Sequence, residues 1–377
     1  MTSVHTSPLL PHKQHGAIIL VTVVLMLVMI TLVTLYTGKI QSFEHKIILN
    51  SQNKKLAFAA AESGLMRGFA ELQQHKEWSI GAINEVLLSQ NSYTVTATQQ
   101  LINRHDRELA LIQLTSTGVS ADGLATSTVT QQALVYPLIV QIPKAPVLVA
   151  GGLNDQVSFE LAANPNGGGE SVPLSIWSNA QVDMDAIVGF TCALEEYSSG
   201  ICPLNAYSFS MNQGADILSN DANFPVDIFA YLFNVSFQHY SAIKSEADLV
   251  LNDCLLLNNS HFGIVWVDGD CHINNGLNIG DAAYPVLLFV NDGSLHLGLG
   301  STLNGLVFML KQNSTLATFD VFIPPSSSIN GALLANYPLG DLAGSLYVKY
   351  DQTALATLTE SPTFLRVAKI PGSWHDL

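Results

Sequence analysis

The chain has 377 residues, with Lys+Arg 15 against Asp+Glu 30 and a net charge of -15. That sign excludes nucleic acid and anionic membrane surfaces as partners by simple charge attraction, because either would repel an acidic protein. Charged residues are only 12% against 48% hydrophobic, which leaves ample material for a core once any membrane segment is set aside.

Residues 1–16 are polar, carry Pro8 and Pro11 and end HKQHG. Ala17–Thr37, AIILVTVVLMLVMITLVTLYT, is an uncharged apolar run of 21 residues, roughly 31 Å of helix and so long enough to cross a bilayer. From Gly38 to His75 there is no proline, and Phe43, Ile47, Phe58, Ala61, Leu65, Phe69 and Leu72 recur at steps fitting a 3.6-residue period. One helix over 17–76 is expected, its second half amphipathic. Gly64 and Gly68 lie four apart on it, where small residues let another backbone approach.

The basic residue and glycine before the apolar run, and the block LAFAAAESGL that closes the helix, resemble PilX-type minor pilins of type IV pili and the related GspK-like minor pseudopilins. The resemblance covers about the first 75 residues. It implies a prepilin leader over 1–16, removal by a prepilin peptidase after Gly16, and a methylated Ala17 as first mature residue. It also implies a helix that moves from the inner membrane into a bundle of other pilin subunits. Major pilins carry a glutamate at the fifth mature position, where this chain has Val21. A carboxylate in lipid needs a positive partner, and a subunit without it lacks one assembly contact, as the minor subunits that start or cap a filament do.

Between Ser92 and Pro137 three runs alternate with period two: Tyr93–Ile102, Leu109–Gly118 and Ala125–Tyr136, separated by NRHDRE and SADG. They read as an antiparallel meander covered on one face by the amphipathic helix, which is also the pilin headpiece plan. The boundaries expected are a pilin-like meander over 77–145, a β-rich domain over 146–345 and a C-terminal tail over 346–377. The tail ends PGSWHDL, an ending also found in PilX-type proteins, and reads as exposed.

In the 146–345 stretch, NGL at Asn275 and Asn304 and NGA at Asn330 recur at spacings of 29 and 26, and GIVWVDGD is echoed by LLFVNDGS and GLVFML. Recurrence every 20 to 30 residues with Asn/Asp-Gly turns favours a parallel β-helix, with an antiparallel sandwich as the alternative. The fold class expected is therefore α+β.

Cys192 with Cys202, and Cys254 with Cys271, are spaced for two local disulfides in an oxidising compartment; four buried thiols are the alternative, and no pair has the CxxC spacing of a zinc site. Positive charge near the apolar run favours the wrong orientation, with Lys13 before it and Lys39, Lys46, Lys54 and Lys55 after it. The cysteines and a leader that must face the cytoplasm outweigh this, putting the C-terminal domain in the periplasm and then on an extracellular pilus.

No GxSxG, phosphate loop or HExxH occurs, and the histidines, His239, His261, His272 and His296 among them, lack metal-ligand spacing. No cofactor is expected, although Asp183 with Asp185, or Asp268 with Asp270, could hold a structural Ca2+. The function expected is a minor pilin at a filament tip, acting in assembly and display of its β domain. The alternatives are a stably anchored surface or periplasmic adhesin or binding protein, and a carbohydrate-active β-helix enzyme, which would need two carboxylates facing a groove.

Overall fold

The computed structural model describes residues 15–78, 81–104, 107–154, 157–184, 189–312, 319–339 and 344–376. The chain divides into two compact units, one of residues 1–74, 78–134 and 369–377, the other of residues 75–77 and 135–368. The stretch expected to be a C-terminal tail is thus shared: residues 346–368 group with the second unit and 369–377 with the first.

The first unit begins with α1, His15–Gln74, 60 residues long. Its threonines satisfy their own hydroxyls. Thr22, Thr31, Thr34 and Thr37 each donate to carbonyls three and four residues back, so none of these four hydroxyls would be stranded in lipid. The sheet runs β1 (Ala82–Val86), β2 (Ser92–Arg104), β3 (Arg107–Val119), β4 (Thr126–Pro137) in spatial order. β1 on β2 and β2 on β3 are antiparallel.

α1 lies along β3. A Cβ on Gly118 would meet Ala57 and Ala61, one on Gly64 would meet Ser116 and Tyr93, and one on Gly68 would meet Val95 and Leu114. Two strand residues advance about as far as four helix residues, so the two stay in step. The buried face is Ala57, Ala60, Ala61, Leu65, Phe69 and Leu72. Gly64 and Gly68 face the strands of the sheet. One expectation is corrected here: Phe43 and Ile47 are outside the packed stripe, 55% and 66% exposed. The stripe starts at Ala57 because β3 ends at Val119, leaving no strand for earlier turns to lie on.

In the second unit the pairing between coils is parallel among the described residues; the antiparallel contacts are Gly189–Cys192 with Ser208–Phe209 and the isolated bridges Asn164–Leu174 and Phe209–Asn212, so the sandwich alternative does not describe it. One sheet stacks Leu249–Leu251, Gly263–Asp268, Val286–Asn291, Thr302–Leu310 and Ser328–Ala335 in chain order. The next strand in the stack is Val147–Val149, with Leu333 opposite Val147, followed by Ile176–Ser178 and Ile217–Leu218. A second sheet repeats the order, from Cys271–Ile273 through Leu295–Leu297, Val321–Phe322 and Gly344–Lys349 to Val157–Ala162 and Gly189–Cys192. The chain enters its own stack in the middle, winds to one end, crosses to the other and winds back to the seam.

Both faces of the first sheet are covered, which is why its strands read as unbroken apolar runs. Val265, Val267, Leu288, Val290, Val307 and Met309 fill the space between the sheets. Ile264, Trp266, Leu287, Phe289, Leu306 and Phe308 face the other way, beneath Ile228, Phe229, Leu232 and Leu355 from short helices. Trp266 stacks on Phe289 at 4.7 Å, and Phe229 reaches Phe308 at 5.9 Å. Asp227 caps helix Ile228–Phe233 through Ala230 N–H, and Asp351 caps helix Gln352–Glu360.

The Asn-Gly repeat is real but its register differs from the tripeptide count. Asn330 Nδ2 donates to Asn304 Oδ1 at 2.9 Å, and Asn304 Nδ2 to Asn278 Oδ1 at 2.8 Å, each step 26 residues. Asn275 belongs to a different column, accepting from Leu299 N–H.

Candidate assembly site

The apolar run of α1 is uncovered over residues 18–37. Residues Ile18–Leu35 are all exposed, and Ile40, Phe43, Ile47, Ile48, Leu49 and Leu56 continue the surface beyond the 21-residue run. One helix in the described residues is long and apolar enough to cross a membrane. Val21 is 58% exposed among other aliphatic side chains. Gly16 and Ala17 have helical backbone, continuous with the run after them.

What anchors this rod to the folded unit is the small-residue block. Ala57, Ala60, Ala61 and Gly64 let α1 approach the strands within backbone contact, so the AFAAAESG stretch reads physically as the seat of the helix. Asn53 and Asp122 tie the start of the seat to the β3–β4 turn, where Ser120 and Leu124 N–H hold the Asp122 carboxyl below the usual carboxylate range.

The four cysteines form Cys192–Cys202 and Cys254–Cys271, all fully buried. Cys192 belongs to the last parallel strand at one end of the second sheet, with Ser208–Phe209 added outside it, and Cys271 to the strand at the other. Each staple therefore closes an end of the coil stack, where a terminal repeat has no neighbour to cover it.

The pair Asp268 and Asp270 does not share partners. Asp185 lies outside the described residues. Asp268 is engaged by Lys244 Nζ at 2.6 Å, Trp266 Nε1 at 2.9 Å and Asn291 Nδ2 at 3.0 Å, while Asp270 accepts from Ser294 N–H. Burial alone would raise the Asp268 pKa, but these donors hold it below the usual carboxylate range. Among the described residues no group of three or more His, Cys, Asp or Glu side chains could hold a metal ion.

His272 and His296 occupy one register position on adjacent parallel strands and stack at 4.8 Å. Burial, and then the neighbouring ring, holds His296 below the usual imidazole value. The loop NPNGGGE borders an open cavity of about 350 Å3 with Lys144, Tyr350 and Gln352 on its wall. A second, of about 310 Å3, has Asp183 as the carboxylate on its wall. Neither brings together the carboxylate pair a glycosidase needs.

Residues 15–65 match a family model described as PilX N-terminal. No curated protein matches the chain. Among solved structures, the competence-associated pilin ComZ from Thermus thermophilus aligns at 14% identity over 86% of this chain and 98% of that one, with a TM-score of 0.25. A likeness that low carries no argument about this chain.

Proposed function

From a chain whose first helix carries a PilX-type N-terminal segment, we propose a minor pilin of a type IV pilus. In this reading the leader over 1–16 is removed after Gly16 by a prepilin peptidase, Ala17 becomes the methylated first residue, and the apolar rod waits in the inner membrane before packing among the helices of other subunits. The observation that carries the proposal is the change along α1: an exposed apolar run to Thr37, an exposed mixed stretch over 38–56, then a close-packed seat from Ala57. A soluble protein would hide the first part, and a plain anchor would have no reason to keep about 28 Å of exposed helix over 38–56, with Ile40, Phe43, Ile47, Ile48, Leu49 and Leu56 set among charged and amide side chains.

Val21 in place of a glutamate supports a subunit with one assembly contact fewer, suited to starting or capping a filament. A β unit of more than 200 residues would crowd a helical shaft, which favours the tip, with the β unit displayed to the exterior. The work is assembly and presentation, without covalent chemistry by this chain.

The test is intact mass of the membrane-extracted protein together with its recovery in sheared filaments, native against Gly16→Ala. The native chain is expected to lack residues 1–16, to carry a methylated Ala17 and to copurify with filaments, and the variant to keep its leader and remain in the membrane. A native chain that retains Met1 and is absent from filaments overturns the proposal in favour of a permanently anchored binding protein.

A further inference from the structure

The C-terminal residues return to the first unit and grip its helix. Ile370 N–H donates to the carbonyl of Gln132 at 3.0 Å, Gln132 N–H donates to Ser373 Oγ at 3.0 Å, and His375 and Asp376 pair antiparallel with Thr130 and Val129 of β4. Ser373 Oγ also donates to the carbonyl of Ile370 at 2.7 Å, and Gly372 takes a φ of +75°, which closes Pro371–Ser373 into a turn.

That turn delivers Trp374 edge-on to Phe58 of α1, ring centroids 6.3 Å apart and planes at 83°. Upstream, Lys369 Nζ sits over the Phe69 ring at 4.4 Å. The segment thus touches the helix at two points about three turns apart. Phe58 is adjacent to Ala57, the first buried residue of the seat. Most of the seat is Ala and Gly, whose burial removes little apolar area, and the edge contact of Trp374, 40% exposed, with half-buried Phe58 adds to it at the place where α1 leaves the sheet.

We propose that Trp374 is a positioning residue for α1, and that the PGSW turn is a strap fixing the direction in which the assembly rod departs from the folded unit. The strap itself is independent of the pilin reading; only its use in assembly rests on that reading.

The test is hydrogen exchange on the full chain in detergent micelles, comparing native protein with Trp374→Ala, Trp374→Phe and a chain ending at Ile370. Amides over 57–61 are expected to exchange about tenfold faster in the alanine variant and the shortened chain, the share of an edge-on aromatic pair. Trp374→Phe should restore near-native exchange, and the disulfide-bonded second unit should be unchanged in all. Unaltered exchange at 57–61 in both the alanine variant and the shortened chain overturns the strap. So does failure of phenylalanine to rescue, or loss of protection throughout the second unit. None of these readouts involves filaments, so their failure is separable from absence of the chain in sheared pili.

Discussion

Replacing Gly118 by alanine puts a methyl carbon 2.1 Å from the carbonyl oxygen of Ala57 and 2.4 Å from the nitrogen of Ala61. Both atoms are helix backbone and cannot rotate away, so α1 must retreat by about 1 Å to restore ordinary contact. A gap of that size forfeits a quarter to a half of each dispersion contact across the seat. The loss falls on Ala57, Ala60, Ala61 and Leu65, together with the strand side chains they cover. The expected cost is about 3 kcal/mol, the upper part of the range for overpacked sites, or about two orders of magnitude in exchange protection. Gly64→Ala is the internal control: its methyl meets the buried Ser116 Oγ at 2.3 Å and the Tyr93 ring at 2.6 Å, side chains rather than backbone, and alanine's better helix propensity offsets part of the clash, so it should cost about 1 kcal/mol. Hydrogen exchange on the full chain reads both, with β2 and β3 peptides as reporters and the second unit as reference. If Gly118→Ala lowers protection by less than about threefold, the close approach of helix and strand does not exist as described.

In the second unit, Gly331→Ala places a methyl 1.8 Å from the Gly305 carbonyl oxygen at a φ of +145°. Urea unfolding followed by Trp fluorescence should show a loss of about 4 kcal/mol, and a loss below about 1 would refute the backbone contact between coils. The Lys244–Asp268 tie carries a pH dependence. A carboxylate whose folded pKa is depressed contributes stability above its unfolded value, lost as pH falls through the folded one. The Trp266 indole N–H, which donates to Asp268 Oδ1, should accordingly titrate by NMR below 3.8, and Lys244→Met should move that midpoint upward. An unmoved midpoint removes Lys244 as a cause.

Much of this architecture is legible in local pattern, because local pattern is what a 3.6-residue or two-residue period records. The proline-free stretch to His75, the three alternating runs after Ser92 and the echo of GIVWVDGD in LLFVNDGS correspond to α1, β2–β4 and in-register strands. What escapes is whatever depends on the far partner. Phe43 and Ile47 fit the helical period as well as Leu65 does, and only the end of β3 decides which of them is covered. Asn275 and Asn278 are equally plausible ladder residues until register selects the second. Gly118 is an ordinary glycine in a Thr-rich strand until the helix lies across it. PGSW carries no period at all, and its use is visible only once Phe58 is beneath it.

The seam between Ser328–Ala335 and Val147–Val149 governs when the protein can become itself. Ser158 Oγ bonds the carbonyl of Gly344 across 186 residues of chain, so the earliest coils to leave the ribosome have one exposed side until nearly the last residues are made. Contacts of such sequence separation make for slow acquisition of structure. The half-built stack presents open strand borders meanwhile, the surface on which neighbouring nascent chains adhere. Those borders close only when Gly344–Lys349 reaches Val157–Ala162.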